Sequence, residues 1–223
     1  MADAAIRVER RGRVVRCTLD RPPLNLFEPG LIAALRSTFV ELAGDATVGV
    51  VVLRGSGRAF TAGMNVNVLR DLGAGFELAL ACDRRVAARG AILGLPEGRV
   101  GVPSVIQAAL LAPLIGPGRA AELLLTGATI GAEQALEWGL VNRVVEPSGL
   151  DAAVQELVDP IVASGPEAIR LQKQLIIRWR ESTLTAAVRA GIPAFAAAYA
   201  TGEPREGATA FLEKRAPRFE ASR

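Results

Sequence analysis

The sequence predicts an α/β fold in which strands and helices alternate through residues 1–147 and helices alone follow over 148–223. Three observations predict it. Short apolar runs near the start have the period of strands, Leu31, Leu35, Phe39 and Leu42 recur at helical spacing, and the Ala-rich stretches after Pro147 carry helical patterns with no strand between them. An apolar share of 50% in 223 residues supplies a full core without disulfides or metal.

Taken in order, Ile6 to Glu9 and Val14 to Leu19 alternate on either side of Gly12 and read as a hairpin, which Pro22-Pro23 ends. Pro29 stands where a first helical turn tolerates proline, so the amphipathic helix begins there. Val48 to Leu53, a β-branched run between Asp45 and Gly55, reads as a strand buried on both faces. Gly75 to Cys82 reads as helix and Val86 to Ala88 as strand. "AILGLPEGRVGVPS" is a Gly/Pro-punctuated loop that ends at a Ser104-capped helix reaching Ile115. Ala120 to Leu125 and Gly131 to Trp138 read as helices, and Leu140 to Val145 as a strand. Leu150 to Ala163, Pro166 to Arg180 and Thr183 to Ala200 form the helical section.

Composition removes several classes of function. The chain has no histidine, so a Ser-His-Asp triad, a Cys-His pair and an imidazole-ligated metal are all excluded. Acid-base chemistry must then rest on carboxylates, lysines or tyrosine. Cys17 and Cys82 form no Cys-x-x-Cys pair, which argues against a disulfide framework or zinc site and fits a reducing cytosol. No run reaches membrane-spanning length, and the net charge of +3, scattered in sign, argues against nucleic acid as partner. The expectation is a cytoplasmic protein.

Two loops of small residues, Ala62-Gly63-Met64 and Gly73-Ala74-Gly75, lie close together in the chain, and the second enters a helix with Glu77 in its first turn. Free backbone N–H groups at such a turn favour developing negative charge. Glu97 is a second carboxylate, set in the loop "GLPEGRVG". Backbone donors with two carboxylates are what carbonyl-activating acid-base chemistry requires. Read alone, Glu77 is more simply an ordinary first-turn acid, while Glu97 serves equally as a solvated loop residue.

At these residues the chain resembles the crotonase (enoyl-CoA hydratase/isomerase) superfamily. The resemblance runs through "RPPLN", "GSGRAFTAGMN", "GAGFELALACD", "GLPEGRVG", "LIGPGRAAELLLTG", "AEQALEWGLVNRVV" and "REGATAFLEKRAPRF", in that order along nearly the whole chain. It implies a spiral of strands and helices forming an acyl-CoA-binding core over 1–147, with 148–223 serving assembly into a homotrimer or dimer of trimers. It implies a thioester oxygen held by the backbone N–H groups of Met64 and Ala74. Glu77 and Glu97, twenty residues apart, match both hydratase glutamates. The first would deprotonate water for attack at C3 and the second would protonate C2, the two titrating as a coupled pair. Lys214, in "FLEKR" of a terminal helix, matches a position that meets the nucleotide end of CoA. No metal or redox cofactor is implied, since CoA arrives with the substrate. Double-bond isomerisation and noncatalytic acyl-CoA binding remain alternatives, and acyl chain length stays open.

Three departures stand out. Met64-Asn65 follows Gly63 where many relatives have Ala-Asp, and "VGVPSVIQAALL" replaces the usual glycine-rich turn after Glu97. The third departure explains why the two loops are near neighbours. The helix and central strand that separate them in the family are absent at Leu72-Gly73, a shortfall of roughly 25–35 residues on ordinary element lengths. Loss of an interior strand would expose two sheet edges, so the pattern favours a native molecule that retains the segment.

Overall fold

A computed structural model describes residues 5–63 and 75–219. The expected hairpin is present as β1 (Ile6–Arg11) and β2 (Val14–Leu19), joined through Gly12 at φ +58°. A positive φ at that corner is what glycine permits at no steric cost. β2 buries Val15, Cys17, Thr18 and Leu19, and burial pushes the Cys17 thiol above its ordinary range. β3 (Val50–Gly55) adds beside β2, giving the sheet order β1-β2-β3. Its residues are only half-buried, which corrects the expectation of a strand covered on both faces. Among the described residues β3 is the last strand of its sheet, and such a strand lacks the neighbour whose side chains would complete its cover.

Between β2 and β3 runs α1 (Pro29–Gly44), which buries Leu31 and Leu35. After the junction come α2 (Gly75–Ala81), β4 (Val86–Ala88), β5 (Ile92–Gly94), α3 (Leu111–Ile115), α4 (Pro117–Thr126), β6 (Thr129–Gly131), α5 (Ala132–Glu137) and β7 (Arg143–Val145). β4 pairs in parallel with β7, and β5 pairs antiparallel to β6. These elements enclose a core of Leu80, Leu95, Leu111, Leu123, Ile130, Ala135 and Leu140 with their neighbours. The proposed strand at Leu140 is shorter than expected, because Leu140 and Val141 fill that core as a turn whose N–H groups reach the Ala135 carbonyl.

The chain divides into two compact units, one of residues 1–8, 17–38 and 53–156, the other of 9–16, 39–52 and 157–223. α6 (Leu150–Val162) runs from the first unit into the second, the division falling between Glu156 and Leu157. In that unit α7 (Pro166–Trp179) packs on α8 (Leu184–Tyr199), and α8 on α9 (Glu203–Leu212). Thr183 caps α8 by accepting from the Ala186 N–H, and Trp179 Nε1 donates to the Ala187 carbonyl at 3.0 Å. Glu203 accepts the Glu167 and Ala168 N–H groups, so a side chain from α9 satisfies the open start of α7.

Candidate functional site

The first loop is anchored by residues that the "RPPLN" motif contributes. Asn25 is fully buried at φ +49°, a left-handed conformation that asparagine tolerates better than most side chains. Its Oδ1 accepts the Arg21 N–H at 2.9 Å, and its Nδ2 donates to the carbonyls of Ser56 at 2.7 Å and Ala59 at 2.8 Å. One side chain thus fixes the turn leading to Ala62 and Gly63. The Ala62 N–H then donates to Leu24, the Gly63 N–H to Thr61 Oγ1 at 3.0 Å, and Phe27 N–H to the Gly63 carbonyl at 2.9 Å.

Gly75, at the head of α2, lies directly against this loop. A Cβ on Gly75 would stand 2.7 Å from Gly63 Cα and 3.0 Å from Gly63 N. Gly63 and Gly75 therefore meet backbone to backbone, an approach only glycine allows. Met64 and Ala74, the expected carbonyl-binding pair, adjoin these two glycines in the chain and lie outside the described residues, as does Leu72-Gly73.

Glu77 points inward from the first turn of α2 and is 1% exposed. Its Oε2 accepts the Gln107 N–H, while its Oε1 is buried with no hydrogen-bond partner among the described residues. An unpaired buried carboxylate oxygen is costly, and a ligand or water that donates to it recovers that cost. The far end of α2 is held by Arg85, whose guanidinium donates to the carbonyls of Cys82 at 2.6 Å and Ala79 at 3.3 Å.

Glu97 is partly buried on a 3₁₀ turn, Pro96–Val100, rather than in the open loop expected. Pro96 fixes φ at the start of that turn, and Leu95 beside it is buried in the core. Glu97 Oε2 accepts the Ser104 hydroxyl at 2.8 Å. Ser104 is accordingly not a helix cap. The helix expected from Ser104 begins as a 3₁₀ turn at Ala108–Leu110 and becomes α3 at Leu111, because Ser104 Oγ and the Gln107 N–H are turned toward the two glutamates. One short segment, Ser104 to Gln107, thereby holds both carboxylates and brings the two predicted catalytic residues to one place.

Lys214 lies past the end of α9 instead of on the terminal helix, at φ +54°. Its N–H donates to Phe211 and that of Arg215 to Ala210, closing the helix end. Arg215 bridges to Glu206 at 2.6 Å and holds that carboxyl well down, to about 2. The Lys214 side chain is exposed, with no partner among the described residues. Among the described residues, no group of His, Cys, Asp or Glu side chains could hold a metal ion. Nor is any helix there long and apolar enough to cross a membrane.

Of the positioning residues, Asn25, Arg85 and Gln107 have no role assigned from the sequence, and Ser104 is marked there only as a helix cap. Asn25 closes the "RPPLN" motif, which is the signal that marks it. Nothing in local sequence marks the roles of the others: the Arg85 guanidinium reaches backbone carbonyls 3 to 55 residues away, and Ser104 and Gln107 donate to carboxylates 7 and 30 residues away.

A family model described as enoyl-CoA hydratase/isomerase matches residues 9–71 and 70–222, two stretches that overlap at residues 70–71, next to Leu72-Gly73. The short-chain-enoyl-CoA hydratase of Clostridium acetobutylicum is 30% identical over 246 aligned positions, covering 93% of this chain and 94% of that protein. The crotonyl-CoA hydratase of Syntrophomonas wolfei is 29% identical over 257 positions, covering 98% and 99%. With 223 residues here, at least 34 of those 257 positions face no residue of this chain. Among solved structures, the enoyl-CoA hydratase of Bacillus anthracis superposes with a TM-score of 0.92 at 29% identity, covering 98% of this chain and 100% of that one. That of Mycobacterium tuberculosis gives 0.91 at 30% identity, with 99% and 100% covered.

Proposed function

We infer the reaction from one premise: this chain belongs to the enoyl-CoA hydratase/isomerase family. It is an enoyl-CoA hydratase, catalysing reversible syn addition of water across the 2,3 double bond of a 2-enoyl-CoA. The observation that carries this reading is the pair of carboxylates, Glu77 and Glu97, each tied by one oxygen to the Ser104–Gln107 segment. A hydratase needs two such groups, one to take a proton from water and one to give a proton to carbon.

In this mechanism the thioester carbonyl accepts hydrogen bonds from the N–H groups of Met64 and Ala74, and the close approach of Gly63 and Gly75 supports their convergence. Water donates to Glu77 Oε1, the buried oxygen with no described partner. As Glu77 takes that proton, the water oxygen bonds to C3 and the π electrons move through C2 to the carbonyl oxygen, giving an enolate. Glu97 then delivers its proton to C2 and the carbonyl reforms. No metal or redox cofactor enters, and CoA comes with the substrate.

Lys214 supplies a mobile cation for the phosphates of CoA, supported by its exposed side chain. Assembly into a homotrimer or dimer of trimers is supported by α8, which exposes Leu184, Val188, Ile192, Phe195 and Tyr199 at helical spacing. The absence of long apolar helices among the described residues fits a cytoplasmic enzyme. Turnover of crotonyl-CoA and of a longer 2-enoyl-CoA tests the reading. Acyl-CoA binding without hydration of either would favour a noncatalytic binder, and a shifted double bond without hydration would favour an isomerase.

A further inference from the structure

We propose that Ser104 is a positioning residue for Glu97, fixing which carboxyl oxygen carries the transferred proton and stabilising the carboxylate left after transfer. The proposal rests on the hydratase reading given above. The Ser104 hydroxyl donates to Glu97 Oε2 at 2.8 Å, and Glu97 Oε1 accepts no hydrogen bond from the described residues. The same segment holds Glu77 in the same sense, with Oε2 engaged by the Gln107 N–H and Oε1 left open. Each carboxylate thus has one oxygen fixed by the protein and the other presented to the reaction. The segment "PSVIQ" that achieves this stands where the sequence departs from the glycine-rich turn of its resemblance group, and a glycine could not donate from a side chain.

The chemistry gives Ser104 a differential role. When Glu97 protonates C2, the O–H bond at Oε1 breaks, the C2–H bond forms, and the electron pair remains on the carboxyl group. Ser104 keeps its own proton throughout. Its hydrogen bond to Oε2 meets a neutral acid before transfer and an increasingly charged carboxylate during it, and bonds to charged acceptors are the stronger. The gain falls in the transition state, so it acts on kcat rather than KM. The difference between the two kinds of bond corresponds to about 5- to 15-fold in rate.

The test is steady-state hydration of crotonyl-CoA by the full chain, with Ser104→Ala, Ser104→Thr, Glu97→Gln and the double variant Glu97→Gln/Ser104→Ala. Ser104→Ala is expected to lower kcat about 5- to 15-fold with KM changed less than about twofold, and Ser104→Thr to restore most of the rate. On Glu97→Gln, which has no proton to deliver, Ser104→Ala is expected to add no further loss. Should Ser104→Ala fail to fold by its thermal transition, Ser104→Cys keeps the shape with a weak donor and is expected to lose kcat in the same direction. A parental kcat in a folded Ser104 variant lacking the hydroxyl overturns the proposal while leaving the hydratase reading intact. So does a loss that multiplies onto Glu97→Gln. A parent chain that hydrates no enoyl-CoA overturns both.

Discussion

Gly75→Ala adds one methyl group at the point where the two loops of the site meet. Its Cβ would stand 2.7 Å from Gly63 Cα, 3.0 Å from Gly63 N and 3.4 Å from Thr61 Cγ2. Ordinary carbon contacts lie near 3.5–4.0 Å, so one side must retreat by about 1 Å. Gly63 is held on both sides, its N–H by Thr61 and its carbonyl by Phe27, at φ +90°. The head of α2 is therefore the part that moves, and Glu77 sits two residues further on. A displacement of about 1 Å at a catalytic group can cost on the order of 10²-fold in rate. The overpacking itself costs about 1–3 kcal/mol, which in a chain of this length lowers Tm by about 3–10 °C. Crotonyl-CoA hydration and a thermal melt read both effects. Gly30→Ala, in α1 with nothing within 4 Å of the added methyl, is the control and is expected to leave both unchanged or slightly raise Tm. A Gly75→Ala enzyme with kcat within threefold of the parent and an unshifted Tm would refute the claim that these glycines hold the site together.

Asn25→Ala is expected to lose about 2–5 kcal/mol of stability, since it leaves two carbonyls and one N–H without their partner and places alanine at φ +49°. Asn25→Gly removes the bonds but not the conformation, so urea melts showing it as stable as the parent would contradict the anchoring role. Lys214→Ala is expected to raise Kd for CoA esters at low salt and scarcely change the saturated rate, and titration showing no salt-dependent change would rule out the phosphate contact. Intact mass tests the junction at Leu72-Gly73. The segment retained as the sequence pattern favours gives a value well above 23.4 kDa, whereas 23.4 kDa means that the strand between the loops was deleted.

Much of this site could be read before any coordinates, and the parts that could not share a physical cause. β1, β2, α1, α2 and the helices α6 to α8 follow from periodicities within single segments, which is where sequence pattern is strongest. The course of residues 96–110 does not. Its apolar residues suit a helix, but Ser104 and Gln107 give their hydrogen bonds to carboxylates 7 and 30 residues away, and the helix starts only after those bonds are made. The half-burial of β3 likewise depends on which strand lies beside it. Glu77 and Glu97 were legible through spacing and resemblance. Their shared support on one segment was not, because contact between distant residues leaves no local pattern.

The central claim is that Glu77 and Glu97 together hydrate an enoyl-CoA, and the most direct measurement is crotonyl-CoA hydration by Glu77→Gln and Glu97→Gln alongside acyl-CoA affinity. Each substitution keeps shape while removing proton transfer, so each is expected to lower kcat by about 10²–10⁴-fold with Kd for the acyl-CoA changed only a few-fold. Near-parental turnover by either folded variant would contradict the account.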